Sequence, residues 1–258
     1  MPKLPATALI VARDEARCIA RCVAGVHAIA AEVLVIDTGS TDGTAALAEA
    51  AGARVLHRAW AGYGPTKNWG ATQASFPWIV SLDADEVPDA ELARELAALE
   101  LDERARVYGV RRTTWYVDRW VRHGSWRDDV VWRVFHRDRA AWDERAVHER
   151  LVAREPGASL KRSVLPGELL HYSYPRRGDL ARKHEAYIRL GVEALLAEGR
   201  RSTWTKRHLA PAWRFVRSYV LKGGWRDGRA GWEIATADYR MVRAKYRLLR
   251  ERRRSGGH

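Results

Sequence analysis

Trp78-Ile79-Val80-Ser81-Leu82-Asp83-Ala84-Asp85-Glu86 sets an apolar run directly against three acids. Such a run reads as a buried parallel strand, and its carboxyl end is where open α/β sheets bind ligands. Side chains alternate along a strand, so Asp83 and Asp85 are expected to point the same way and Ala84 the other. Neighbouring carboxylates repel unless a cation joins them. A hard divalent metal with oxygen ligands does this, and it brings substrate phosphates with it. The competing reading is that Asp85 or Glu86 caps a helix that follows Pro88.

The elements that must position these acids come earlier in the chain. Residues 7–12 read as a first strand closed by Arg13-Asp14-Glu15, with a helix over 16–28. Residues 32–37 read as a second apolar strand that ends in Asp37. The turn Thr38-Gly39-Ser40-Thr41-Asp42-Gly43 follows, and Thr44 can cap a helix that stops at Gly52. A short strand over 54–57, a loop over 60–65 and a helix over 66–75 carrying Lys67 and Asn68 lead to the opening stretch. Strands alternating with helices imply right-handed βαβ units and a parallel sheet. Asp14, Glu15, Asp37, Asp83 and Asp85 then share one rim. Carboxylates suit ribose hydroxyls, a base edge and a metal that carries phosphates. Gly39 and Gly43 have the wrong spacing for a dinucleotide fingerprint, and no Gly-Lys-Ser/Thr marks a P-loop. Asp37 could also serve only as a turn acid.

After a helix over 88–101 the pattern changes. Residues 107–117, 130–136 and 165–174 read as an irregular, antiparallel portion dense in Trp115, Tyr116, Trp120, Trp126, Trp132 and Trp142. Aromatic rings with interspersed charge can wall a sugar site, or simply pack. In Ala146-Val147-His148-Glu149, Glu149 is a candidate general base with His148 or Arg133 as neighbours; the alternative is a surface acid.

Charge divides the chain sharply. From Arg200 onward there are 17 Lys and Arg against 4 Asp and Glu, whereas the preceding residues carry 28 of each sign, so the net charge of +13 belongs to the end of the chain. Helices expected over 180–198, 204–221 and 232–253 interleave Arg207, Arg214, Arg217 and Lys222 with Leu209, Trp213, Val216 and Val220. That pattern fits an anionic bilayer surface across 200–254, or else helices packed with a solvated basic face. No nucleic-acid-binding motif is present, and no nucleic-acid partner is expected. No run reaches the length of a membrane span, and residues 6–12 lack the features of a signal peptide, so a cytoplasmic location is expected. Cys18 and Cys22, on one predicted helix, read as buried, reduced and inert.

Taken together, Ala12-Arg13-Asp14-Glu15, residues 35–44 from Val35 to Thr44, Lys67-Asn68 and residues 81–86 resemble glycosyltransferase family 2, with its GT-A fold. Arg133-Val134-Phe135, Val147-His148-Glu149, His171-Tyr172-Ser173 and residues 219–228 are similar to the branch containing lipopolysaccharide inner-core β-1,4-glucosyltransferases. The resemblance implies an α/β fold with a Rossmann-like, mostly parallel central sheet. It would comprise a catalytic domain over 1–178, with a nucleotide-binding half over 1–101 and an acceptor-side half over 102–178. A helical basic region over 179–258 would follow. It further implies an inverting, metal-dependent transfer of a sugar from a nucleotide donor, UDP-linked with glucose favoured, to a lipid-linked acceptor such as lipopolysaccharide core at the inner face of the cytoplasmic membrane. Asp14, Glu15, Asp37, Lys67 and Asp83 would hold the donor, Asp85 would hold Mg2+ or Mn2+, and Glu149 would be the base. Trp126, Arg133 and His148 would support the acceptor. Asp14 stands where the family usually has Asn, and Ser125 where a second Gly often follows Gly124. The rival expectations are a polyprenyl-phosphate glycosyltransferase on the same fold and a non-catalytic basic polyanion-binding protein.

Overall fold

The computed structural model describes residues 3–127, 129–145 and 149–255. The chain divides into two compact units, Met1–Arg112 with Asp128–Tyr172, and Thr113–Arg127 with Ser173–His258. Residues 113–127 therefore group with the helices, whereas the sequence pattern assigns them to the acceptor-side half.

In the first unit the strands and helices alternate as β1 (Leu4–Ala12), α1 (Ile19–His27), β2 (Ala30–Asp37), α2 (Thr44–Ala50), β3 (Arg54–His57), α3 (Tyr63–Gln73) and β4 (Trp78–Asp83). Then come β5 (Glu86–Pro88), α4 (Ala90–Ala97), β6 (Arg106–Tyr116), β7 (Arg119–Val121), β8 (Val130–His136), β9 (Ala140–Trp142), β10 (Leu151–Ala153) and β11 (Lys161–Tyr174), with the end of β6, all of β7 and the end of β11 counted in the second unit. The main sheet runs β3-β2-β1-β4-β8-β6-β11-β5, with β7 on β6. Its β3-β2-β1-β4 part is parallel, as the βαβ pattern requires. The pairings of β8 with β4 and β6, and of β5 with β11, are antiparallel. This is the α/β architecture that the resemblance implies, with a sheet that is mixed rather than mostly parallel: parallel over β3-β2-β1-β4 and antiparallel beyond.

Strand periodicity decides which face each side chain serves. Ala8, Ile10, Val33, Val35, Val80 and Leu82 enter one core with Ile19, Cys22, Val23 and Val26 of α1. Leu9, Leu34, Ile36 and Ile79 enter the other, where α3 contributes Ala71. Burial on both faces is why these strands are apolar throughout. Asp83 has the parity of Ile79 and Arg133 that of Phe135, so both fall on the face that α3 covers.

Two local expectations change. The α2 helix begins at Thr44 with Gly43 as its cap residue. The Thr44 hydroxyl instead accepts a hydrogen bond from the backbone of Glu15 at 2.8 Å. Asp89, rather than Asp85 or Glu86, caps α4, accepting from Leu92 N at 2.7 Å. Cys18 and Cys22 are free and buried, and burial pushes both thiols up in pKa.

The second unit contains α5 (Arg177–Ala197), α6 (Trp204–Val216), a π-helical turn at Arg217–Leu221 and α7 (Gly228–Ser255). Tyr116, Val121, Leu180, Ala230 and Ile234 form its core.

Helix α3 is seated on β9 by a two-way bond: the Asn68 amide donates to the Trp142 carbonyl at 2.8 Å and accepts from Trp142 N at 2.9 Å. Gly64 permits that approach, because a Cβ there would lie 2.0 Å from the carbonyl oxygen of Asp143. Gly64→Ala is therefore expected to cost about 1–3 kcal/mol by forced backbone displacement, read as a lowered midpoint in urea unfolding. An unchanged midpoint would show that the contact relaxes freely.

Candidate active site

Parallel register brings the acids to one edge. Ala12 of β1 pairs with Asp37 of β2, and Val11 pairs with Asp83 of β4. The two carboxylates thus stand two strands apart, roughly 10 Å across the carboxyl edge.

At the β2 end, Asp37 is buried at 2% exposure. Its Oδ1 accepts from the amides of Gly39 at 2.9 Å and Ser40 at 3.0 Å. Burial raises its pKa, but the Ser40 hydroxyl and these amides outweigh burial and hold the carboxyl below its ordinary range. Its Oδ2 is buried with no hydrogen-bond partner among the described residues. An ionised oxygen in that state is an acceptor awaiting a donor, such as a ribose hydroxyl or an imide N–H.

The loop after β1 is laced to the turn after β2. Asp14 adopts φ 53°, a left-handed conformation that Asp and Asn tolerate among non-glycine residues. Asp14 N donates to the Ser40 hydroxyl at 3.0 Å, and Asp14 Oδ1 accepts from Thr41 N at 2.8 Å. Ala16 N donates to Asp42 at 3.0 Å. Asp14 is thus committed to holding the turn that presents Asp37, and its replacement of Asn keeps the backbone conformation. Half-buried Glu15 holds the same junction through its backbone bond to Thr44.

Below Asp83 lies a chain of alternating charge. Asp129 contacts Arg112 at 2.7 Å, Arg112 contacts Glu86 at 3.2 Å, and Arg133 Nη2 donates to Glu86 Oε2 at 2.6 Å. The same nitrogen donates to Asp83 Oδ2 at 2.7 Å, and Lys67 Nζ lies 3.4 Å from Asp83 Oδ1 and 2.8 Å from Glu149 Oε1. Glu86 is wholly buried; Lys67 and Arg133 nearly so. Burial would raise the Asp83 pKa, but Arg133, Lys67 and Arg112 together hold it well below the usual carboxylate range. Arg133 is correspondingly held more firmly protonated.

The sequence-level picture of Asp83 and Asp85 sharing one cation gives way to a division of labour. The strand ends at Asp83, and Ala84-Asp85 form a turn. Asp83 faces protein cations, whereas Asp85 Oδ2 lies 3.3 Å from His171 Nε2 on β11. Tyr172 N donates to the Asp85 carbonyl at 2.8 Å. Among the described residues no group of three His, Cys, Asp or Glu converges as a cage for a metal. Asp85 and His171 offer two donors, which fits a hard cation that takes its remaining ligands from water and a diphosphate.

Glu149 meets Lys67 rather than Arg133, and His148 lies outside the described residues. The tryptophans do not form one wall. Trp142 packs on Phe135 and beneath Lys67, Trp132 under Arg162, and Trp115 against Trp120. Trp126 belongs to the second unit, stacked on Tyr174 with centroids 5.0 Å apart. Three participants, Glu86, Arg112 and His171, were not singled out as site residues from the sequence. Glu86 carried a signal as the last acid of the stretch 78–86, and His171 as part of His171-Tyr172-Ser173, whereas Arg112 carried none.

Residues 7–153 match the sequence profile described as Glycosyl transferase family 2. The chain is 30% identical over 236 residues to the lipopolysaccharide core biosynthesis glycosyltransferase LpsC of Rhizobium meliloti (strain 1021), covering 88% of this chain and 85% of that one. An uncharacterized glycosyltransferase of Rickettsia felis is 40% identical over 90 residues, 35% of this chain and 32% of that protein. Among solved structures, glucosyl-3-phosphoglycerate synthase from Mycobacterium tuberculosis, in complex with Mn2+, UDP and glucosyl-3-phosphoglycerate, aligns at a TM-score of 0.34 with 23% identity over 43% of each chain.

The charge chain makes a stability prediction. Arg133→Met takes from the buried Glu86 carboxylate its closest cation, leaving Arg112 at 3.2 Å, and is expected to cost about 3 kcal/mol. Adding Glu86→Leu should recover part of the loss, and a double variant no more stable than the single would refute the pairing as its cause. The depressed Asp83 pKa stabilises the fold fully above about pH 4 and progressively less as pH falls through its folded value. Arg133→Met should therefore also flatten the acid limb of a pH–stability curve.

Proposed function

The chain belongs to glycosyl transferase family 2, and we propose that it transfers a sugar, with inversion, from a UDP-linked donor to a lipid-linked acceptor of the lipopolysaccharide-core type. The carrying observation is one sheet edge that combines a buried Asp37 oxygen with no hydrogen-bond partner among the described residues, Asp83 and Asp85, with Glu149 tethered to Asp83 through Lys67. Asp37 Oδ2 would accept from the base, and Asp83 from a ribose hydroxyl. Asp14 and Glu15 shape the loop on which the nucleoside rests. Lys67 fixes Glu149 Oε1, which leaves Oε2 to take the proton of the acceptor hydroxyl as that oxygen attacks the anomeric carbon. Asp85, with His171 beside it, would hold Mg2+ or Mn2+, which when bound neutralises charge on the departing diphosphate. The acceptor class rests on the similarity to LpsC, and glucose as the donor sugar rests on the branch resemblance.

Calorimetric titration with UDP, with and without Mn2+, tests the donor side. Metal-dependent binding should weaken at least about tenfold in Asp85→Ala. Glu149→Gln should bind UDP normally and lose about 10²–10⁴ in turnover. Metal-dependent binding retained by Asp85→Ala would remove that residue's role, and near-normal turnover of Glu149→Gln would remove its role as base.

The second unit supports attachment to an anionic membrane from the cytoplasmic side. No described helix is long and apolar enough to cross a bilayer. Leu209, Trp213, Val216 and Val220 are nevertheless all exposed, at positions that recur along one helical stripe, with Lys206 and Arg217 on its flank. Apolar residues beside cations suit an anionic interface. Leu209→Asp with Trp213→Asp should abolish co-sedimentation with phosphatidylglycerol vesicles. Unchanged sedimentation would exclude this stripe as the membrane face.

A further inference from the structure

A small pocket in the second unit is lined by Ser125, Arg214, Arg217, Ser218 and Lys222. We propose that it binds a phosphoryl group. None of its residues belongs to the donor site, and only Arg217 also flanks the proposed membrane stripe, so the inference stands apart from the donor chemistry.

The backbone is shaped for this pocket. The Arg217–Leu221 turn is π-helical, closed by Lys222 N donating to the Arg217 carbonyl at 2.9 Å, and such turns are frequent at functional sites. The turn brings Arg217, Ser218 and Lys222 to one opening. The loop carrying Ser125 is fixed against it: Gly124, at φ 77°, donates to the Lys222 carbonyl at 3.0 Å, and Ser125 N donates to the Ser218 hydroxyl at 3.0 Å.

The donor set matches a tetrahedral oxyanion. Three cationic side chains and two hydroxyls line the pocket, and no acid does. Asp238 is held 3.2 Å from Arg214 Nε, which partly balances that cation. Arg217 and Lys222 have no ion-pair partner among the described residues. The Ser125 hydroxyl oxygen is buried with no hydrogen-bond partner among the described residues. Ser218 Oγ accepts from Ser125, so its own hydrogen remains to be donated. The cavity volume is about 50 Å³. That is room for roughly three to five oxygen-sized atoms, the dimensions of a phosphoryl group. A guanidinium, an ammonium and hydroxyls together form charge-assisted bonds to its oxygens. A phosphorylated sugar and a phospholipid headgroup both present this group.

The test uses the full chain in EDTA, so that no divalent metal recruits phosphate to the donor edge. Inorganic phosphate is titrated calorimetrically against chloride at matched ionic strength. Saturable phosphate binding is expected, weakened about tenfold by Arg217→Gln, by Lys222→Gln and by Ser125→Ala. Ser125→Ala removes no hydrogen bond among the described residues, and an unchanged unfolding midpoint of that variant separates lost binding from lost folding. Competition by glucose 6-phosphate assigns the group to a sugar, and competition by phosphatidylglycerol vesicles but not phosphatidylcholine assigns it to a lipid. Phosphate binding no better than chloride overturns the proposal. So does unchanged affinity in Ser125→Ala, which would leave only a solvated basic face.

Discussion

Glu86 has no surface in contact with water, and a carboxylate so placed persists only with close cationic partners. The first unit is assembled around meeting that demand. Glu86 stands on β5, which pairs with β11, and Arg133 stands on β8, which pairs with β4. The ion cluster therefore joins the antiparallel strands to the parallel ones. It also fixes Asp83, whose backbone amide donates to Glu86 at 3.0 Å and whose carboxylate shares the Arg133 guanidinium. An acid held on two sides by buried groups has little conformational freedom left to lose, which is the preorganisation that its proposed role in donor binding would require.

The two units divide the physical tasks. The first carries 20 Lys and Arg against 23 Asp and Glu, a slight acidic excess, and pairs its buried ionisable residues with each other within hydrogen-bond reach. The second carries excess cations over a modest apolar core, and its large exposed side chains include Trp204, Leu209, Trp213, Val220, Leu221 and Trp225. Exposed apolar side chains beside excess cations are what the proposed anionic membrane surface would cover.

The parallel half was legible in the sequence because its signals are local. An uninterrupted apolar run, a terminal acid and a turn rich in Gly and Asx identify β1, β2 and β4 without reference to anything distant, and Asp37, Asp83 and Asp85 come with them. The pairings that define the site were not legible. Lys67 and Glu149 are separated by 82 positions, and nothing in either neighbourhood specifies the other. Strand alternation misplaced Asp85 because the strand stops one residue before Ala84, and a three-residue strand such as β5 carries too little pattern to be read. The aromatic residues of the middle region looked like one surface, since composition records their density but not which ring meets which. Residues 113–127 looked like part of the sheet half because β6 is continuous, although their packing lies with the helices. The π turn escaped because an i to i+5 bond leaves no mark on a 3.6-residue periodicity.

Asp129, Arg112, Glu86, Arg133, Asp83, Lys67 and Glu149 alternate in sign, beginning and ending with an acid. A chain with acids at both ends has odd parity: four negative groups against three positive, an uncompensated charge of minus one. Under the proposed chemistry that surplus vanishes when Glu149 takes up a proton, leaving three of each sign. The resting array is thus one proton short of neutrality, and the step asked of Glu149 is the one that completes the balance.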